Sequence, residues 1–141
     1  MDNVYDIIIR FDGGSRGNPG IAGAGAVLLK NNGEEVACVS VELDGIYTNN
    51  QSEYVGLIEG MTLAIEHGYK NVLIEGDSLL IVNQINGKFK CKSDSLKSLF
   101  SEASILIKKF NRYEIKHIYR KYNTRADELA NIAMDSIQHL T

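Results

Sequence analysis

Four acidic residues each stand where the chain changes its structural state. Asp12 follows the apolar run Val4–Phe11, and Asp77 follows the short run Asn71–Gly76. Glu53 falls in the first turn of a helix that the pattern starts near Asn50, and Asp127 falls in the first turn of the last helix. Each alone has an ordinary structural role open to it. Asp12 before Gly13 suits a turn, and Asp77 suits a helix N-cap. Asn50 with Glu53, and Thr124 with Asp127, have the spacing of capping boxes, where a carboxylate also meets the positive end of the helix dipole. As a set they point to different chemistry. Carboxylates gathered within a few ångströms repel one another and raise one another's pKa, so a fold that gathers them calls for a cation. Oxygen ligands with room for water suit Mg2+ or Mn2+ rather than zinc. Two such ions ~4 Å apart are a standard means of breaking a phosphodiester.

The elements that must bring these residues together can be read from periodicity. Val4–Phe11 is nearly continuous in apolar residues, as in a strand buried on both faces. The stretch from Asp12 to Gly20 is expected to be a long turn. Strands follow at Ala22–Leu29 and Glu35–Leu43, joined by Asn32-Gly33, a strong hairpin signal. From Asn50 the spacing of Glu53, Leu57, Met61 and Ala64 is helical, and His67-Gly68 ends the helix. Asn71–Gly76 then reads as a strand, Ser78–Asn86 and Ser93–Phe110 as helices, Glu114–Tyr119 as a strand and Asn123–Ile137 as the last helix. The order β-β-β-α-β-α-α-β-α predicts an α/β fold: a five-stranded mixed sheet with helices on both faces. If the first, fourth and fifth strands are parallel, Asp12, Asp77 and Asp127 share the carboxyl edge of the sheet, where α/β folds bind ligands. Glu53 lies on the same helical stripe as Leu57 and Met61 and is expected to lean inward.

The whole chain, 1–141, reads as one domain. It is long enough to bury a core, and 44% hydrophobic with 23% charged residues is a globular composition. No apolar run approaches the roughly 18 residues needed to span a bilayer. The polar start Met1-Asp2-Asn3 resembles no targeting segment, so the expected location is cytoplasmic. Cys38 and Cys91 lack the spacing of a disulfide framework or zinc site. The net charge of −3 does not by itself favour a nucleic-acid partner. The distribution says more, since Lys88, Lys90, Lys92 and Lys97 form one basic cluster and Arg112, Lys116, Arg120, Lys121 and Arg125 another. Either is a solvated face or a surface that tracks phosphates.

Four motifs then resemble one family in order and spacing. Asp12-Gly13-Gly14-Ser15-Arg16-Gly17-Asn18-Pro19-Gly20 looks like the first signature of type 1 ribonuclease H, and Thr48-Asn49-Asn50-Gln51-Ser52-Glu53-Tyr54 resembles the second. Glu75-Gly76-Asp77-Ser78 resembles the third, and Asn123-Thr124-Arg125-Ala126-Asp127-Glu128-Leu129-Ala130 the fourth. The resemblance implies an endonuclease that hydrolyses the RNA strand of an RNA–DNA hybrid and leaves 5′-phosphate and 3′-hydroxyl ends. It implies a catalytic metal site of Asp12, Glu53, Asp77 and Asp127 for two Mg2+ ions, with Mn2+ as a substitute. Asp12 would bridge the two ions, and Glu53 would also lie near the ribose 2′-hydroxyl that distinguishes RNA from DNA. By the same analogy Gly13, Gly14 and Asn50 grip RNA, while Asn18, Thr48 and Asn49 touch the DNA strand. Glycine at 13 and 14 fits a close backbone approach to a sugar, which leaves no room for a Cβ.

The chain departs from the family pattern in two places. Some members carry a basic handle with aromatic residues after the third motif, whereas Lys88–Leu99 is short and has Phe89 as its only aromatic. This resembles the handle-less branch, also without a hybrid-binding domain, and weaker, more salt-sensitive binding follows. Handled members place a histidine on a loop before the last aspartate. His117 has a similar offset but falls in a predicted strand, and a structural role is favoured for it. Arg120 is the alternative contact to the scissile phosphate. His67 and His139 belong to no motif and are expected at the surface. Two other functions remain open: the same chemistry on double-stranded RNA or RNA–DNA junctions, and a non-catalytic nucleic-acid-binding module. The expected partner is the hybrid, with no membrane and no obligate protein, and the chain is expected to be a monomer.

Overall fold

A computed structural model of the chain describes residues 4–139, with side chains described to 138, so His139 lies outside the described side chains. Five strands, β1 (Ile7–Arg16), β2 (Ile21–Leu29), β3 (Glu35–Glu42), β4 (Asn71–Gly76) and β5 (Arg112–His117), form one sheet in the order β3-β2-β1-β4-β5. The three amino-terminal strands are an antiparallel meander, and β4 and β5 run parallel to β1. The helices are α1 (Asn49–Glu66), α2 (Leu79–Ile85), α3 (Asp94–Ile107) and α4 (Thr124–His139), with a 3-10 turn at Arg120–Tyr122 before α4. The expected order of elements and mixed sheet are therefore present.

Strand alternation divides the core between two faces. Ile7, Ile9 and Phe11 of β1 join Ala26 and Leu28 of β2 and Tyr54, Leu57, Met61 and Ala64 of α1 in the main core, which α2 and α3 complete with Ile81, Leu96, Ala103 and Ile107. On the opposite face Val27 and Leu29 pack on Leu129 of α4. A strand at the centre of a sheet covered on both sides needs apolar residues at nearly every position, which is why Ile7, Ile8 and Ile9 follow one another without a polar alternate.

Two boundaries differ from expectation in ways that matter for the site. The stretch after Phe11 is not a long turn. β1 continues through Arg16, pairing Asp12 with Gly25 and Arg16 with Ile21, and only the residues near Gly17–Pro19 turn. The small residues Gly23 and Gly25 of β2 let α4 pack against this part of the sheet, where a Cβ would lie 2.7 Å and 2.5 Å from the Ala130 and Ala126 carbonyl oxygens. The parallel partner β4, by contrast, last pairs Gly76 with Phe11. Asp12 therefore does not end its strand; it sits where one neighbour stops and the other continues. The fifth strand spans Arg112–His117 rather than Glu114–Tyr119, since Tyr119 leads into the 3-10 turn.

Candidate active site

For Glu53 and Asp77 the competing structural roles are taken by other side chains. Thr48 caps α1 through a reciprocal box with Gln51, so neither Asn50 nor Glu53 is used for capping. Ser78 caps α2 by accepting from the Ile81 amide, which leaves Asp77 free of that duty. Asp12 accepts the neighbouring Gly13 amide at 2.9 Å.

Asp12, Glu53 and Asp77 each present an oxygen within 4.8 Å of the others. The three come from β1, from the first turn and a half of α1, and from the residue after β4. Asp127, on the first turn of α4, lines the same cleft but is not within that 4.8 Å set. The cleft has a volume of about 510 Å³, and Gly13, Gly14, Arg16, Asn49 and Arg120 also border it.

Burial and mutual repulsion govern the electrostatics. Asp12 is 6% exposed. Burial first, and then the charge of Asp77, push its carboxyl up to about 8, with the Gly13 amide opposing and with Glu53 and Asp127 adding to the rise. Glu53 is pushed up to about 7, mainly by burial and then by Asp77, against the Ser78 hydroxyl and the charge of Arg120. Two carboxyls driven toward the neutral form are what a cluster short of positive charge produces. An all-oxygen donor set of this kind fits a hard divalent cation, whose binding would remove the repulsion.

Close packing of α1 on β1 fixes the spacing of the acids. A Cβ on Gly13 would lie 2.2 Å from the Ser52 carbonyl carbon, and a Cβ on Gly56 would lie 2.4 Å from the Asp12 carbonyl oxygen. The small residue at 13 is therefore required by the packing of the helix. Gly14 is less constrained, since its Cβ would meet only the flexible end of Met134 at 3.1 Å.

Arg120 borders the acids, whereas His117 ends β5 with its ring edge-on to Tyr119 at 5.8 Å. His67 is exposed and its ring contacts the Leu63 carbonyl. A second depression of about 630 Å³ is bordered by Asn18, Thr48, Asn49, Asn50, Lys90 and Lys92, among others. Asn49 Oδ1 accepts the Ser15 amide at 2.7 Å and Asn18 Oδ1 accepts the Asn49 amide at 3.0 Å. These bonds tie the end of β1 to the start of α1 and leave the Nδ2 groups for a ligand.

Asn123 has a part in the site that its sequence position did not suggest, although it opens the fourth motif. It is 1% exposed and donates to the Phe11 carbonyl at 2.8 Å and to Asp77 Oδ2 at 3.1 Å. Arg16 was likewise overlooked. It borders the cleft and reaches Asp135 at 2.7 Å and Asn131 at 3.1 Å, tying β1 to α4.

Comparison with known proteins places this geometry among relatives. Residues 10–133 match the family described as reverse transcriptase-like. The chain is 42% identical over 130 residues to a bifunctional protein of Mycobacterium tuberculosis, covering 92% of this chain but 36% of the relative, so it spans about a third of that protein. The solved N-terminal RNase H domain of the mycobacterial protein superposes with a TM-score of 0.92 at 39% identity, over 97% of this chain and 99% of that one. The solved RNase H1 of Halobacterium salinarum superposes with a TM-score of 0.88 at 38% identity, over 92% and 98% of the two chains. LC11-RNase H1, solved in complex with an RNA/DNA hybrid, gives a TM-score of 0.88 at 37% identity over 94% and 99%.

Proposed function

Because the chain belongs to the type 1 ribonuclease H family, we propose that it is a metal-dependent endonuclease cutting the RNA strand of RNA–DNA hybrids. The observation that carries this reading is the approach of Asp12, Glu53 and Asp77 to within 4.8 Å of one another. With Asp127 on the adjoining wall, these four carboxylates would hold two divalent ions, Mg2+ by preference and Mn2+ as a substitute. When bound, such ions supply the Lewis-acid charge for in-line hydrolysis of a phosphodiester, leaving 5′-phosphate and 3′-hydroxyl ends.

The chain's own residues bind and orient the substrate. Gly13 and Gly14, which border the acid cleft, and Asn50, which borders the second depression, would contact the RNA strand. Asn18, Thr48 and Asn49, beside Lys90 and Lys92, offer amide, hydroxyl and ammonium donors to the DNA backbone. Arg120, exposed at the mouth of the cleft, donates to the phosphate next to the acids, and Glu53 meets the ribose 2′-hydroxyl. His117, facing Tyr119, is a structural residue. Free Cys38 and Cys91 fit a reducing cytoplasm, and no helix among the described residues is long and apolar enough to cross a membrane. All four acids come from one chain, so a monomer suffices.

Cleavage of an end-labelled RNA–DNA hybrid, with Mg2+, Mn2+ or EDTA, tests the reading beside single-stranded RNA, double-stranded RNA and duplex DNA. Only the hybrid's RNA strand is expected to be cut, and only with metal. Asp77→Asn is expected to lower the rate at least about a hundredfold while the protein stays folded. An Asp77→Asn protein that cuts as fast as wild type would refute the proposed site, and equal cutting of double-stranded RNA would refute the proposed specificity.

A further inference from the structure

Among the buried polar groups around the cleft, Asn123 is the one whose every bond leads to the site. Its two Nδ2 hydrogens go to the Phe11 carbonyl, one residue before Asp12, and to Asp77 Oδ2. Its backbone amide donates to the Arg120 carbonyl at 2.9 Å, and its own carbonyl accepts the Asp127 amide at 3.2 Å. One side chain and its peptide groups thus touch Asp77, the strand carrying Asp12, the turn carrying Arg120 and the helix turn carrying Asp127.

The amide has one allowed orientation. Turning it over would set Oδ1 against a carbonyl and a carboxylate, two acceptors with no proton to share. Held as it is, Asn123 Oδ1 is buried with no hydrogen-bond partner among the described residues. A buried acceptor without a partner costs stability, and a retained one calls for an explanation. Apolar packing does not supply it, because a leucine would fill similar space without the orphan oxygen. The two donated bonds do.

We propose that Asn123 is the positioning residue of the carboxylate cluster: it fixes the rotation of Asp77 against β1, so that Asp77 meets Asp12 and Glu53 with one oxygen already pinned. Without that N–H, Asp77 turns about its side-chain bonds, and order must be restored when a cation binds. Partners that hold metal-ligating carboxylates typically contribute about 10- to 100-fold in metal affinity. This inference rests on the metal-site reading above.

The test is calorimetric titration of metal-free wild type, N123L and N123A with Mn2+, with urea denaturation in parallel. Leucine keeps the volume and removes both donors; alanine removes both and leaves space. Mn2+ affinity is expected to fall at least about tenfold in both variants under conditions where each is folded. A purely structural asparagine would lower the urea midpoint and leave the affinity of the folded protein unchanged, and that result overturns the proposal. The proposal also stands or falls on wild type alone if neither variant folds. In 15N-labelled protein the Asn123 side-chain protons are expected to exchange slowly with water, and one of them to shift on Mg2+ addition. Absence of both effects, in a protein that does bind Mg2+, sinks the assignment. A wild type that binds neither ion takes down the metal site itself, a separate outcome from wild-type binding with unchanged variants.

Discussion

Asp12 and Glu53 make the metal-free protein sensitive to pH in an unusual direction. Their carboxyls are raised to about 8 and about 7 in the folded chain, from ordinary values of 3.8 and 4.5. The folded state therefore keeps protons that the unfolded chain has released, so these groups favour unfolding as pH rises. Their full stabilising share is present below about pH 4 and is lost progressively up to about pH 8. In EDTA the urea midpoint is expected to fall between pH 5 and pH 8, and to fall less in Asp12→Asn. At pH 8 that variant is expected to be more stable than wild type by about 0.5–2 kcal/mol, since it removes a charge its neighbours repel. Identical midpoints for the two proteins across this range would show that the cluster is not under repulsion. Metal binding has the opposite dependence, because protons and cations compete for the same oxygens. Mn2+ affinity is expected to rise from pH 6 to pH 8 with proton release, seen as a buffer-dependent heat in calorimetry.

At the scale of elements, the site depends on how near α1 can come to β1. Gly56 of the helix rests on the Asp12 carbonyl, and Gly13 of the strand rests on Ser52. Gly56→Ala places a methyl where there is backbone, so the helix must move outward and carry Glu53 away from Asp12. The expected cost is about 1–3 kcal/mol of stability. Activity is expected to drop further than that loss explains, with Mn2+ affinity reduced in the protein that remains folded. Wild-type affinity in folded Gly56→Ala would show that this contact does not set the carboxylate spacing. The sequence could announce the elements because their patterns are local: the apolar run of β1, the Asn-Gly hairpin, the helical stripe of Leu57 and Met61. The four acids were legible for a related reason, since each lies in a contiguous motif, although Asp12 falls inside its strand rather than at its end. What escaped depends on partners far along the chain. β1 runs on past Asp12 because it pairs with β2 from Gly25 back to Ile21, and Asp12–Gly20 taken alone has the composition of a turn. Asn123 bonds to Phe11, 112 residues away, so nothing beside it in the sequence discloses the role.

For the whole molecule, a net charge of −3 conflicts with a polyanionic partner unless positive charge is free where the substrate lies. Part of the basic charge is committed elsewhere. Arg125 pairs with Glu35 and Glu128, Arg10 and Lys116 converge on buried Glu75, Arg16 holds Asp135, and Lys97 pairs with Asp94. Lys90 and Lys92 remain exposed on the short segment between α2 and α3, at the rim of the depression shared with Asn18, Thr48 and Asn49. Each phosphate contact made by a free cation releases counterions on binding, so these two lysines carry a measurable share of the affinity. Lys90→Ala with Lys92→Ala is therefore expected to weaken hybrid binding and to flatten the plot of log affinity against log salt by about two units of slope. The acids and their spacing are untouched by this change, so the rate at saturating hybrid is expected to stay near that of wild type, and the Mn2+ affinity with it. Binding measured by fluorescence anisotropy from 50 to 200 mM salt, in Ca2+ to prevent cutting, gives the slope directly. An unchanged slope would mean that the DNA strand does not pass between Lys90, Lys92 and the start of α1. The basic cluster at Arg112–Arg125 would then have to supply the phosphate contacts, although Lys116 and Arg125 already pair with carboxylates.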